Sequence, residues 1–196
     1  MRSQSASVLV ADLGTPVVLG DYEAWSHEPS KTEDGGRTAG FVIPTESGKV
    51  EITCAAGPSS ATNTLALCER TASTLQLGSQ KAVSLNAVRQ AEQRWRAAAT
   101  RLQDERTAGR ARLARAAQQS GQVQSAEALA GIYENAARRF AALTGGQPVV
   151  RAARETASAY RALARAAQSN SSSAWASARA EVRDTEGQLN RTLAAD

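Results

Sequence analysis

Two hydrophobic periods divide the chain. Up to about Leu77, apolar residues stand in short runs broken by Gly, Pro and polar turns; from Ser84 they recur at steps of three, four and seven. The first pattern is that of strands and the second that of amphipathic helices. Thr15-Pro16-Val17-Val18-Leu19 and Tyr22-Glu23-Ala24-Trp25-Ser26-His27 are short β-compatible segments separated at Gly20-Asp21. Lys31 to Gly36 is a polar loop with a Gly-Gly turn. Thr38–Pro44 and Lys49–Cys54 then form a hairpin across Thr45-Glu46-Ser47-Gly48, and in the second strand Val50, Ile52 and Cys54 alternate with Glu51 and Thr53. One face of that strand is inward and the other is wet. A loop rich in Gly, Pro, Ser and Thr leads to a helix at about Leu65–Leu75, with Leu65, Cys68, Ala72 and Leu75 on one stripe.

Beyond Ser84, a candidate N-cap, the first long helix runs to about Gln118. Val88, Trp95, Leu102, Gly109 and Ala116 recur in it at intervals of seven, the spacing of supercoiled helix packing. Gly109 in mid-helix marks a close crossing or a weak point. Ser120-Gly121 breaks the pattern. A dense three-four pattern follows (Ala126, Leu129, Ala130, Tyr133, Ala136, Ala137, Phe140, Leu143), stopped by Gly145-Gly146 with Pro148 beyond. A third helix carries Val150, Ala153, Ala157, Tyr160, Leu163, Ala164 and Ala167. The polar turn Ser169–Ser173 ends it, and its last Ser caps a fourth helix with Trp175, Val182 and Leu189 at sevens. Leu113-Ala114-Arg115-Ala116-Ala117-Gln118 recurs unchanged as Leu163-Ala164-Arg165-Ala166-Ala167-Gln168, so this half reads as a tandem helix–break–helix repeat. The expectation is an α+β chain: a small antiparallel sheet with one helix over residues 1–80, then an antiparallel four-helix bundle of two αα-hairpin repeats over 84–196.

Composition sharpens the contrast between the halves. With 3 Trp, 3 Tyr and 2 Phe in 196 residues, the core must be largely Ala, Val and Leu, with Trp95, Tyr133, Phe140, Tyr160 and Trp175 as widely spaced wedges. Residues 1–83 carry 6 basic and 9 acidic side chains; residues 84–196 carry 17 and 10, every basic one an Arg. Arg101, Arg106, Arg110, Arg112 and Arg115 form the densest run and a candidate basic patch for phosphates. Against that, Asp104 and Glu105 interrupt it, no base-stacking aromatic is interleaved, and a GC-rich genome yields Arg and Ala in any case. Solvated helix faces are the more economical account, with acid–base pairs such as Glu92 with Arg89 or Arg96, and Glu134 with Arg138.

Cys54 and Cys68 are the only cysteines, and both point toward one sheet–helix interface. Three readings stand. A structural disulfide suits an even count and a small sheet short of core; two separate buried thiols is the plainer one. A redox or metal site is the third, with neither Cys-x-x-Cys spacing nor a partnering His behind it. Val50-Glu51-Ile52-Thr53-Cys54, a Pro/Gly loop and Leu67-Cys68-Glu69-Arg70-Thr71-Ala72-Ser73-Thr74-Leu75 resemble the last strand and helix of PsbP-like small α/β domains in actinobacterial membrane-anchored proteins and lipoproteins. The resemblance covers residues 48–77. It implies an exported module that pairs a strand cysteine with a helix cysteine and has no catalytic residues to transfer. The chain departs from the pattern at the front, where only two or three strands precede Phe41.

Catalytic signatures do not appear. There is no Gly-x-Ser-x-Gly, Gly-rich phosphate loop or HExxH, and the sole imidazole, His27, stands alone in the first half. Neither a cofactor nor a metal is expected. No apolar run reaches about 18 residues, and Met1-Arg2-Ser3-Gln4-Ser5 leads only into Val8-Leu9-Val10, so contact with a membrane would run through a segment absent from this chain. The expected function is a non-enzymatic extracytoplasmic binding or structural module of a membrane-anchored bacterial protein, its partner another protein or a cell-envelope component. A homo-oligomer through Val88, Trp95 and Leu102, or Trp175, Val182 and Leu189, is the variant of that reading. The alternative is an intracellular nucleic-acid-associated protein using the Arg-rich bundle, which would follow if the cysteines were reduced.

Overall fold

A computed structural model describes residues 14–33, 35–58 and 61–195; the expectation for Met1–Val10 and the Leu65 side chain lie outside the described residues. The chain divides into two compact units, residues 1–92 and 93–196. In the first, β1 (Thr15–Leu19), β2 (Tyr22–Lys31), β3 (Arg37–Thr45) and β4 (Gly48–Ala56) form an antiparallel meander in chain order. The turns set the register: Leu19 faces Tyr22 across Gly20-Asp21, and Thr45 faces Gly48 across Glu46-Ser47. Gly20, at φ +58°, occupies the left-handed region, and a Cβ there would stand 2.3 Å from the Ser73 carbonyl. β2 runs past the expected His27 to Lys31, its ladder with β3 shifting between His27 and Ser30.

Helix α1 (Ala61–Ala72) covers one sheet face, where Leu19, Ala24, Phe41, Ile43, Cys54 and Ala72 are buried together. It ends before Leu75, because the Ser73 and Thr74 hydroxyls donate to the Arg70 and Thr71 carbonyls and take over the last turn. Leu75 still packs on this core from outside the helix. The opposite sheet face buries Trp25 and Val42 against Leu85 and Val88, in the first turns of α2 (Leu85–Arg115). Those residues therefore belong to the first unit. β3 is buried on both faces from Phe41 to Thr45, whereas β4 keeps the expected alternation.

The start of α2 is capped twice. Ser84 Oγ accepts from the Ala87 amide at 3.2 Å, as expected of an N-cap, and the Glu23 carboxylate of β2 accepts from the Leu85 amide at 2.7 Å.

The second unit is the helical bundle: the rest of α2, then α3 (Gln119–Ala141), α4 (Gln147–Gln168) and α5 (Ser172–Ala195). The α3–α4 and α4–α5 connections are short, so neighbouring helices run antiparallel. α4 has the broadest buried surface, with Ala152, Ala153, Ala157, Ala159, Ala164 and Ala166 letting α3 and α5 approach closely. α2 reaches the same core through larger side chains: Leu102 is buried, and Trp95 meets Phe140 edge-on with centroids 5.0 Å apart. Gly109 marks a close crossing, since a Cβ there would lie 2.6 Å from Leu129 Cδ2.

Two helix ends differ from expectation. The break expected at Ser120-Gly121 falls at 116–118, and both residues sit in the first turn of α3. The Gln119 side-chain amide donates to the Ala167 and Gln168 carbonyls, tying the start of α3 to the end of α4. The two copies of Leu-Ala-Arg-Ala-Ala-Gln therefore end differently, helical throughout in α4 but unwound after Arg115 in α2. Pro148 lies beyond the stop of α3, as expected, and also falls in the first turn of α4, where the missing amide hydrogen costs nothing. The cap of α5 is Ser171 rather than Ser173: its Oγ accepts from the Ala174 amide at 3.3 Å, after Asn170 turns the chain at φ +53°.

Candidate functional site

Cys54 on β4 and Cys68 on α1 meet in the core beneath the sheet, with Cα atoms 6.1 Å apart and sulfurs at disulfide distance. β4 directs Cys54 inward by its alternation, and α1 turns Cys68 back onto it with one helical stripe. The arrangement can cross-link strand and helix.

The five arginines of the candidate patch do not converge. At 100° per residue, Arg101, Arg112 and Arg115 lie on one side of α2 while Arg106 and Arg110 lie on the other. Four already have partners. Arg101 pairs with Glu105 at 2.8 Å, Arg106 bonds Gln103 and Asn190, Arg110 pairs with Glu186 at 2.7 Å, and Arg115 donates to the Ala111 carbonyl. Arg112 is exposed. The expected intrahelical pair of Glu134 with Arg138 is replaced: Glu134 pairs with Arg161 across α3 and α4, and Arg138 bonds Asn135. His27 is half-buried beside Gly40.

A polar cluster that no local pattern announces joins all four helices of the bundle. Glu186 of α5 accepts at Oε1 from the Tyr133 hydroxyl of α3 at 2.5 Å and the Tyr160 hydroxyl of α4 at 2.9 Å. Arg110 of α2 donates to the same oxygen through Nε at 3.0 Å, and its Nη2 stands 2.7 Å from that oxygen as an ion pair. The two tyrosine rings stack with centroids 5.5 Å apart. Burial, reinforced by Glu186, holds both hydroxyls well above the ordinary tyrosine range. Burial works against the Arg110 charge, but its bonds to Glu186 outweigh that and raise its pKa. Every member is satisfied, the condition for a buried network to specify one packing. A second cross-helix pair joins Arg139 to Glu105 at 2.7 Å. The hydrogen bond from Arg139 holds the Glu105 carboxyl below its ordinary value, with Arg101 adding to it and burial opposing.

Outside the expected patch, one exposed face gathers arginines without consuming them. Arg151, Arg154 and Arg165 of α4 are exposed, and among the described residues none of their guanidinium groups has a hydrogen-bond or ion-pair partner. The signal was present as spacing. Arg151, Arg154, Ser158, Arg161 and Arg165 step by three and four with no acid in the stripe.

Among the described residues, no group of three His, Cys, Asp or Glu side chains is placed to hold a metal ion, and no helix is long and apolar enough to cross a membrane. No protein-family model matches the chain, and no curated protein or solved structure matches it.

Proposed function

We propose that the chain is a non-catalytic binding or structural module that works outside the cytoplasm, in a membrane-anchored bacterial protein, on a protein or cell-envelope partner. The observation that carries this reading is the Cys54–Cys68 pair, with its 6.1 Å Cα separation. A bridge there would stabilise a small sheet by about 3 kcal/mol, and such bridges persist in oxidising compartments. The resemblance of residues 48–77 to PsbP-like domains of exported proteins supports the same compartment. The polar cluster around Glu186 has the character of a structural lock, because its tyrosines are buried and its charges neutralise each other within the bundle.

The test is the intact mass of unreduced protein from its native host, with and without an alkylating agent. The expected result is a mass two hydrogens below that of the dithiol, with no alkylation after unfolding. Two alkylated thiols would overturn the extracytoplasmic reading and return the chain to the cytosol.

A further inference from the structure

We propose that the exposed ridge of α4 binds a thin, flexible, phosphate-bearing polymer through Arg151, Arg154, Arg161 and Arg165. This deepens the reading above by naming the chemistry of the partner. It rests on that reading only for the compartment in which the partner is met.

The row is straight and one-sided. At 100° and 1.5 Å per residue, the four arginines fall within about 80° of arc and span about 21 Å along the helix, with Ser158 among them. Arg161 also pairs with Glu134, while the other three guanidinium groups have no partner among the described residues. Unpaired guanidinium groups are the groups that bind phosphate through paired N–H donors. The outer face of α2 carries Arg94, Arg101 and Arg112 at a similar spread, but Asp104 and Glu105 interrupt it and Arg101 is neutralised by Glu105.

The surroundings select the kind of polyanion. On the α3 side of the row lies a shallow depression of about 310 Å³ floored by Ala130 and Gly131, so nothing bulky keeps a chain away from the guanidinium groups. Acids flank the row: Glu155 is exposed beside it on α4, Glu127 lines the α3 side, and Glu181 lines the α5 side. A planar anionic lipid surface would press against those carboxylates, whereas a narrow chain passes between them. Among the described residues, the large exposed apolar side chains are Val18 and Leu67, and neither lies on the bundle, so the bundle itself offers no apolar anchor for insertion. A rigid duplex meets a convex helix ridge at one or two phosphates, but a flexible chain can follow all four arginines. Single-stranded nucleic acid adds base stacking on aromatic side chains to its phosphate contacts; in the bundle Tyr133, Phe140 and Tyr160 are buried, and the partly buried Trp95 and Trp175 pack against the core, with neither on α4.

The test is a fluorescence-anisotropy titration of the full chain with end-labelled poly(glycerol phosphate), at low salt and at physiological salt. The comparison is between R151Q/R154Q/R165Q and a charge-matched control, R94Q/R101Q/R112Q. All six sites are exposed, and circular dichroism verifies that both variants are folded. The expected result is binding that weakens with salt, lost at least tenfold in the α4 variant, whose salt slope falls by about 2 as three phosphate contacts disappear. The control should stay within about threefold of the parent, as screening limits the reach of exposed charge. Equal losses in both variants would overturn the proposal by making net charge sufficient. So would absence of binding at low salt, or tighter binding to anionic vesicles, to duplex DNA or to an oligonucleotide of equal charge. The thiol measurement reports the compartment whatever the titration gives, so the two readings fail separately.

Discussion

The two units reach a stable core by opposite means. The first has a four-stranded sheet, one short helix and the start of another, and its buried set under α1 is small: Leu19, Ala24, Phe41, Ile43, Cys54 and Ala72. Its strongest candidate tie is the cysteine pair, which acts by restricting the unfolded chain. The second unit needs no cross-link, because small side chains on α4 let three helices pack closely and the Glu186 cluster fixes how they meet. A core of alanines alone tolerates sliding, since one Ala layer resembles the next. Arg110, Tyr133, Tyr160 and Glu186 remove that degeneracy with one side chain from each helix. Covalent restraint and polar specificity thus do comparable jobs in neighbouring parts of one chain.

That comparison breaks most visibly at the cysteines. The double variant Cys54→Ala/Cys68→Ala should destabilise the first unit by about 3 kcal/mol and leave the bundle unaffected. Denaturant unfolding followed by near-UV signals of Trp25 and of Trp95 and Trp175 in single-Trp backgrounds would separate the units. Next comes Glu186→Ala, which leaves two tyrosine hydroxyls and Arg110 without their acceptor. Because Arg110 is 39% exposed and water can reach it, the loss should be about 2–3 kcal/mol, at or below the range for fully buried pairs. Glu186→Gln keeps an acceptor and should cost about half as much.

The same cluster predicts an alkaline limit. Tyr133 and Tyr160 have folded-state values raised above the reference of 10.0, so their contribution is complete below pH 10 and is lost as pH rises from there. Thermal melts across that window should show the bundle weakening, and Tyr133→Phe/Tyr160→Phe should flatten the dependence.

Gly109→Ala is a finer probe. Helix propensity favours Ala by about 1 kcal/mol, but the new Cβ would press on Leu129, which is fully buried and has nowhere to go. A net loss of about 1 kcal/mol is expected from overpacking, whereas a gain in melting temperature would show that α2 stands off from α3. Smallest is Glu23→Ala, which removes the carboxylate cap on the Leu85 amide and should cost about 0.5–1 kcal/mol, visible as faster amide exchange at 85–88.

Much of the architecture was written in local pattern. β1 spans Thr15–Leu19 as the sequence suggests, bracketed by Gly14 and Gly20, both at left-handed φ. The heptad through Leu102 placed α2, and the three-four stripe through Phe140 placed α3. Boundaries slipped where a distant group decided them, as with Gln119, whose partners are carbonyls 48 and 49 residues away. The Glu186 cluster was illegible for the same reason. Positions 110, 133, 160 and 186 share no period, and each residue alone reads as a core aromatic or an edge charge. The α4 row has the reverse character: its spacing is plain, but the run from Arg101 to Arg115 is denser, and four of its five arginines are already partnered.

Hydrogen exchange of the native protein, with and without a thiol reductant, tests the contrast between the units most directly. The expected result is a loss of protection confined to the sheet and α1, with amides from Gln93 to Leu193 exchanging as before. Unchanged exchange throughout would mean that no bridge supports the first unit. Loss spread equally into the bundle would mean that the two units are not held by different means.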